Sequence, residues 1–226
     1  MRQSELYRGL RLQYYGVLAA LVLVMVLPIM TEAVLDGRPE AAPVLEYLGA
    51  GLPLLAGGAL GARGMALLCR EDRDYRLALA ALAAAVVLGL LALAPLPAPL
   101  PVILTAALVA AAIGYIGQLV RVTNRFLRRS GQEKLVKKSR WAVLIPAVGF
   151  TCLAVLRWMP EQMLAAWWGG GDDWIAQWER DNFVNGATWI LIIACLVAYL
   201  NYVTQAGQAL KYEEIEEAGK RGEAEQ

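Results

Sequence analysis

Five stretches of this chain, 12–31, 47–62, 77–120, 141–156 and 182–210, contain no charged residue. Such runs leave few folds open. A helix crosses the hydrocarbon core of a bilayer with about 20 mostly apolar residues, and backbone in lipid must satisfy its own hydrogen bonds. Soluble domains carry roughly a quarter of their residues as Asp, Glu, Lys and Arg. Here the share is 18%, and 58% of residues are hydrophobic. The fold class is therefore all-α, a polytopic transmembrane bundle.

The longest run, 77–120, exceeds one crossing and holds Pro95, Pro97, Pro99 and Pro101 at its middle. Each proline removes a backbone donor and disfavours helix in the residue before it, so the run divides into two spans joined by a tight hairpin. The sequence predicts spans at about 13–31, 45–68, 77–94, 101–121, 141–158 and 186–207, six in three hairpins. Glu46, Arg63 and Arg157 then fall near helix ends, where long side chains reach the interface. Residues 1–210 read as a single bundle. The acidic tail over 211–226, KYEEIEEAGKRGEAEQ, extends the last helix briefly before fraying.

Lysine and arginine are retained on the cytoplasmic side of a membrane. With six spans, all of them except Arg38, Arg157 and Arg180 fall on one side. That bias predicts an inner-membrane protein with both termini cytoplasmic. The basic start followed by an apolar run also fits a signal peptide; the alternation of charge favours a first span. Cys69, Cys152 and Cys195 sit in separate spans without a pairing spacing, so free thiols are expected.

Within the second span, LGAGLPLLAGGALGARG places Gly57 and Gly61 four apart with Gly64 near the same face. Small residues at that spacing let membrane helices approach closely. Gly114 and Gly117 repeat the theme in the fourth span, and the third is alanine-rich, so spans two to four are expected to form the tight centre. The connection RVTNRFLRRSGQEKLVKKSR (121–140) is strongly basic. Read as a helical extension, a break at Ser130-Gly131 and a second short helix, it lies along the cytoplasmic leaflet. Arg125, Arg128, Arg129, Lys137 and Lys138 then meet anionic lipid headgroups. The plainer reading is a topology signal alone. Nucleic acid is not expected as a partner, because the basic run is short and flush with the membrane.

The chain has no histidine, which removes the commonest general base and the usual haem and zinc ligand. No charged residue falls near the centre of a span, as an ion-coupled transporter usually requires. The polar candidates in the spans are Thr105, Tyr115, Gln118, Thr151, Thr188, Tyr199, Asn201 and Tyr202, and packing or interface anchoring explains the YLNY step, Tyr199 to Tyr202, most simply. No catalytic residue, cofactor or metal site is expected. Asp172 and Asp173, on the outer side, read as a helix N-cap.

That cap belongs to AAWWGGGDDWIAQWERDN, which holds four of the seven tryptophans, Trp167, Trp168, Trp174 and Trp178. Tryptophan favours the headgroup zone. The outer segment 159–185 is expected to form two short amphipathic helices lying flat as a lid, broken at the glycines. The same tryptophans would suit a membrane-protein partner or a second copy of the chain, since aromatic residues dominate interfaces.

YRGLRLQYYGVL, GARGMALLCRE, LVRVTNRFLRRSGQEKLVKKSRW and VAYLNYVTQAGQAL together resemble uncharacterised bacterial multi-pass membrane proteins of unknown function. The resemblance implies no activity. The sequence leads to a non-enzymatic membrane protein, an accessory, scaffold or assembly subunit. A channel or carrier for a neutral or apolar solute is the alternative, and a lipid-modifying enzyme using the outer carboxylates is a third.

Overall fold

A computed structural model describes the backbone of residues 5–35, 42–158 and 174–224, and the side chains of 5–27, 48–158 and 182–211. The described residues form helices joined by short turns, without strands. In order the helices are α1 (Glu5–Leu35), α2 (Ala42–Glu71), α3 (Tyr75–Leu91), α4 (Leu100–Arg129), α5 (Glu133–Trp158) and α6 (Trp174–Ala224). Among the described residues, five segments are long and apolar enough to cross a membrane: Glu5–Leu27, Leu48–Glu71, Leu100–Arg129, Glu133–Trp158 and Asn182–Lys211. Apolar α3, with 17 residues, reaches about 26 Å at 1.5 Å per residue and is at the short end for a span.

Each helix packs against its neighbours in the chain, and α6 closes on α1, so the six form a ring. Gly207 of α6 faces Tyr7 and Leu10 of α1, and Lys211 Nζ lies 5.7 Å from the Tyr7 ring centroid. The start of α1 and the stretch of α6 around Gly207 and Lys211 therefore share one end of the ring. Arg70 pairs with Glu5 at 3.3 Å there, and Arg125 pairs with Asp74. We call this the basic end.

Large side chains fill the half of the ring next to it. Leu10, Met65, Leu68, Tyr75, Leu119 and Leu127 are all fully buried. Toward the opposite end the same helices turn small residues inward, with Gly57 and Gly58 on α2, Ala85 on α3 and Ala112 on α4. Side chains of that size leave the middle of the ring unfilled. On the outside of α6, Ile190, Ile193 and Val197 are 69%, 54% and 60% exposed, an apolar stripe at helical spacing suited to lipid.

The closest backbone approach is between α1 and α2, a correction to the expected centre of spans two to four. A Cβ on Gly64 would stand 2.7 Å from the Gly9 carbonyl oxygen, and one on Gly57 would stand 3.1 Å from that of Gly16. At Gly114 and Gly117 an added Cβ would meet nothing within 4 Å. The glycines of α2 have their counterpart in Gly9 and Gly16, whose seven-residue spacing across a basic start carries no obvious packing signal.

Two further expectations change. The basic connection has the expected helical extension and break at Ser130-Gly131, but its second part is not a short separate helix: α4 continues to Arg129, and α5, beginning at Glu133, runs on to Trp158. Gly131, at φ +69°, turns the chain sharply, with Gln132 N donating to Leu127 O at 2.8 Å and Gly131 N to Arg128 O at 3.2 Å. This pair of bonds is the Schellman closure of a helix. On the other side, residues 174–185 are not a detached surface helix but the opening turns of α6, a single helix of 51 residues. No proline or glycine interrupts 174–185, so nothing in the chain forces a break before the apolar run. The segment 159–173, with Trp167, Trp168 and the Asp172 cap, lies outside the described residues.

Candidate functional site

The unfilled middle of the ring is a half-open cavity of about 460 Å³ to which all six helices contribute. Its walls are Val17 and Val24 from α1, Pro53 and Gly58 from α2, and Leu82 and Val86 from α3. Leu108 and Ala112 of α4, Phe150 of α5 and Trp189 of α6 complete them. The described residues around it carry no charge. Its length can be read along α6, where Trp189 and Tyr199 both line it: about 15 Å of helix at 1.5 Å per residue. The volume falls within the roughly 300–1,000 Å³ of small-molecule sites.

Polar side chains gather at the end of the cavity nearest the packed core. Tyr115 of α4 donates to Gln13 Oε1 of α1 at 2.6 Å, and its hydroxyl lies 2.7 Å from that of Tyr199 on α6. Gln13 Nε2 in turn donates to the Gly61 carbonyl of α2 at 2.7 Å. Gln13 and Tyr199 are 2% and 4% exposed, so these bonds are made away from solvent, where an unmade one is costly. Four helices meet in this group.

No family model, no curated protein and no solved structure matches the chain. The cavity and its polar end are what the residues themselves offer. A second polar group lies closer to the basic end. Tyr202 donates to Asn124 Oδ1 at 3.0 Å, Asn124 Nδ2 donates to Ser139 Oγ at 2.7 Å, and Ser139 donates to Val136 O. Tyr75 and Thr123 share a bond at 2.9 Å. These tie α3, α4, α5 and α6 together below the cavity, and none of them lines it.

The residues singled out by sequence fall in several places. Gly57 and Gly61 stand both at the α1 seam and on the cavity wall, Gly64 at the seam alone. Gly114 meets no neighbour. Arg125 is engaged by Asp74, and Arg129 lies over the Phe126 ring at 5.7 Å. Arg128, Lys137 and Lys138 belong to the α4–α5 hairpin, and all three are exposed. Trp174 and Trp178 are in the first turns of α6, their side chains outside the described residues, as are Trp167 and Trp168 altogether.

Tyr115 and Tyr199 stand out in the sequence as polar residues within spans, but nothing in their local pattern joins them. Gln13 does not stand out. It is two residues from Arg11 and looks like the wet end of a span, whereas the glycine seam draws α2 over it. Its signal is an uncharged amide with the glycines of two helices nearby, and that becomes specific only once those helices are paired.

Proposed function

We propose that the chain is a non-enzymatic, multi-pass protein of a bacterial inner membrane that holds a neutral, apolar molecule inside its helical ring, as a carrier or accessory subunit. The termini and the basic end face the cytoplasm in this reading, supported by the concentration of lysine and arginine there. The observation that carries it is the cavity: apolar, uncharged, large enough for a ligand, and backed by packed side chains on the basic side. That packing favours a holding site over an open pore.

A scaffold role through the tryptophan segment draws support only from sequence, because those side chains lie outside the described residues. Neutral membrane lipids are the natural source of a cavity occupant. An apolar ligand entering an apolar pocket from water gains roughly 25 cal/mol for each Å² of apolar surface it hides; from within a bilayer that gain is largely absent, so shape and the polar end must provide selectivity.

The test is extraction of small molecules from protein purified in mild detergent, compared between the wild type and the cavity-filling variant Ala112→Trp. A species present near one per chain in the wild type and depleted in the folded variant supports the reading. Identical extracts from both proteins contradict it. Reporter fusions at either terminus check the orientation: activity of a cytoplasm-dependent reporter at both ends is expected.

A further inference from the structure

We infer that the cavity takes a neutral long-chain alcohol, its hydroxyl donating to Tyr199 Oη and its apolar body lying along the ring toward Trp189. This rests on the reading of the cavity as a ligand site and adds the chemistry of the ligand.

The polarity of the buried hydrogen bonds leads there. Gln13 approaches the Gly61 carbonyl, which can only accept, so the group facing it is the amide nitrogen and Oε1 is turned to Tyr115. An oxygen of that kind only accepts, so Tyr115 uses its one proton on Gln13. The 2.7 Å contact between the two tyrosines then requires Tyr199 to donate to Tyr115. Both phenolic protons are thereby engaged within the protein.

Gln13 Nε2 itself sits at the helix seam, 2.9 Å from where a Cβ on Gly64 would stand, and Gly64 does not line the cavity. What the polar end offers a ligand is therefore acceptor capacity, at the lone pairs of Tyr199 Oη and of Gln13 Oε1. A matching ligand must bring a donor. An ammonium group would lack a counter-charge, because no acidic side chain among the described residues lines the cavity, and an unpaired charge is costly in this setting. A ketone, quinone or ester brings only acceptors and would have to break the Tyr199 to Tyr115 bond to be held. A hydroxyl on an apolar body meets both conditions: it is neutral, and it donates.

The size agrees. At about 30 Å³ for each water-sized group, 460 Å³ accommodates a chain of on the order of fifteen methylenes.

The full chain in phosphatidylcholine nanodiscs is labelled with 1-hexadecanol carrying a mid-chain diazirine, in competition with unlabelled 1-hexadecanol, hexadecyl methyl ether or 2-heptadecanone. Adducts are expected on cavity residues such as Leu108, Ala112 and Leu196. The alcohol should compete about tenfold better than the ether or the ketone, the worth of one hydrogen bond. Tyr199→Phe keeps the ring and should reduce that preference severalfold, while Tyr202→Phe, outside the cavity, should preserve it. Equal competition by all three compounds in the wild type, or a preference for the ketone, overturns the hydroxyl assignment and leaves the cavity as an apolar site. Labelling confined to the outer surface overturns both this inference and the reading it rests on. The wild-type comparison of alcohol and ether decides the question even where a variant fails to fold.

Discussion

Tyr115 on α4 donates its hydroxyl proton to Gln13 on α1 across 2.6 Å, joining residues 102 apart in the chain. The bond lies where the packed half of the ring gives way to the cavity, and by using the Tyr115 proton it sets the direction of the Tyr199 to Tyr115 bond. Tyr115→Phe leaves Gln13 Oε1 without its donor. The expected loss is about 1 kcal/mol, close to the average of about 0.6 kcal/mol for interhelical bonds in membranes. Gln13→Leu removes the Gly61 bond as well and should be worse, and the double variant should lose less than the two singles summed, as unfolding by steric trapping in bicelles would measure.

The glycines of α2 should separate sharply from those of α4. Gly64→Ala presses a methyl into the Gly9 carbonyl and forces α1 and α2 apart, which overpacking values put at about 1–3 kcal/mol. Gly114→Ala meets open space and should be neutral or stabilising by up to about 1 kcal/mol, the helix-propensity gain of alanine over glycine. Thermal stability in detergent, compared between the two variants, checks the contrast.

Gly131 closes α4 in the left-handed region. A side chain there costs about 1–2 kcal/mol, so Gly131→Ala should destabilise the α4–α5 hairpin by that amount. Hydrogen exchange should rise locally, at Gln132 and the first turn of α5, with the cavity-lining segments unchanged.

Two polar contacts of similar appearance should differ in weight. Arg125 and Asp74 are 43% and 52% exposed, and exposed pairs are worth about 0–1 kcal/mol. Asp74→Asn should therefore have a small effect that fades as salt is raised. Asn124→Ala severs two sheltered bonds, to Tyr202 and Ser139, and should lose about 1–3 kcal/mol regardless of salt. Denaturation curves at low and high ionic strength distinguish the two.

Charge-free runs and the proline cluster make the helical class and the places of the helices readable from the residues alone, because lipid imposes length and polarity rules on each segment separately. The ring is not readable in that way. Which helix lies beside Gly57 and Gly64 depends on Gly9 and Gly16 in a segment that looks like a basic start, and packing partners are a property of two segments at once. The start of α6 at Trp174 is hidden for a related reason: WIAQWERDNF is amphipathic enough to rest on a membrane, yet it runs unbroken into the apolar part of the helix. The cavity follows from small side chains on α2, α3 and α4 facing one another, a coincidence that no single stretch contains.

Whether the ring encloses an occupied apolar site is tested most directly by a structure determined in lipid nanodiscs. Elongated non-protein density is expected inside the ring, running from Tyr199 toward Trp189 with walls from all six helices. A ring closed on itself, with Leu82, Ile116 and Leu196 in contact across an empty or vanished cavity, would contradict it.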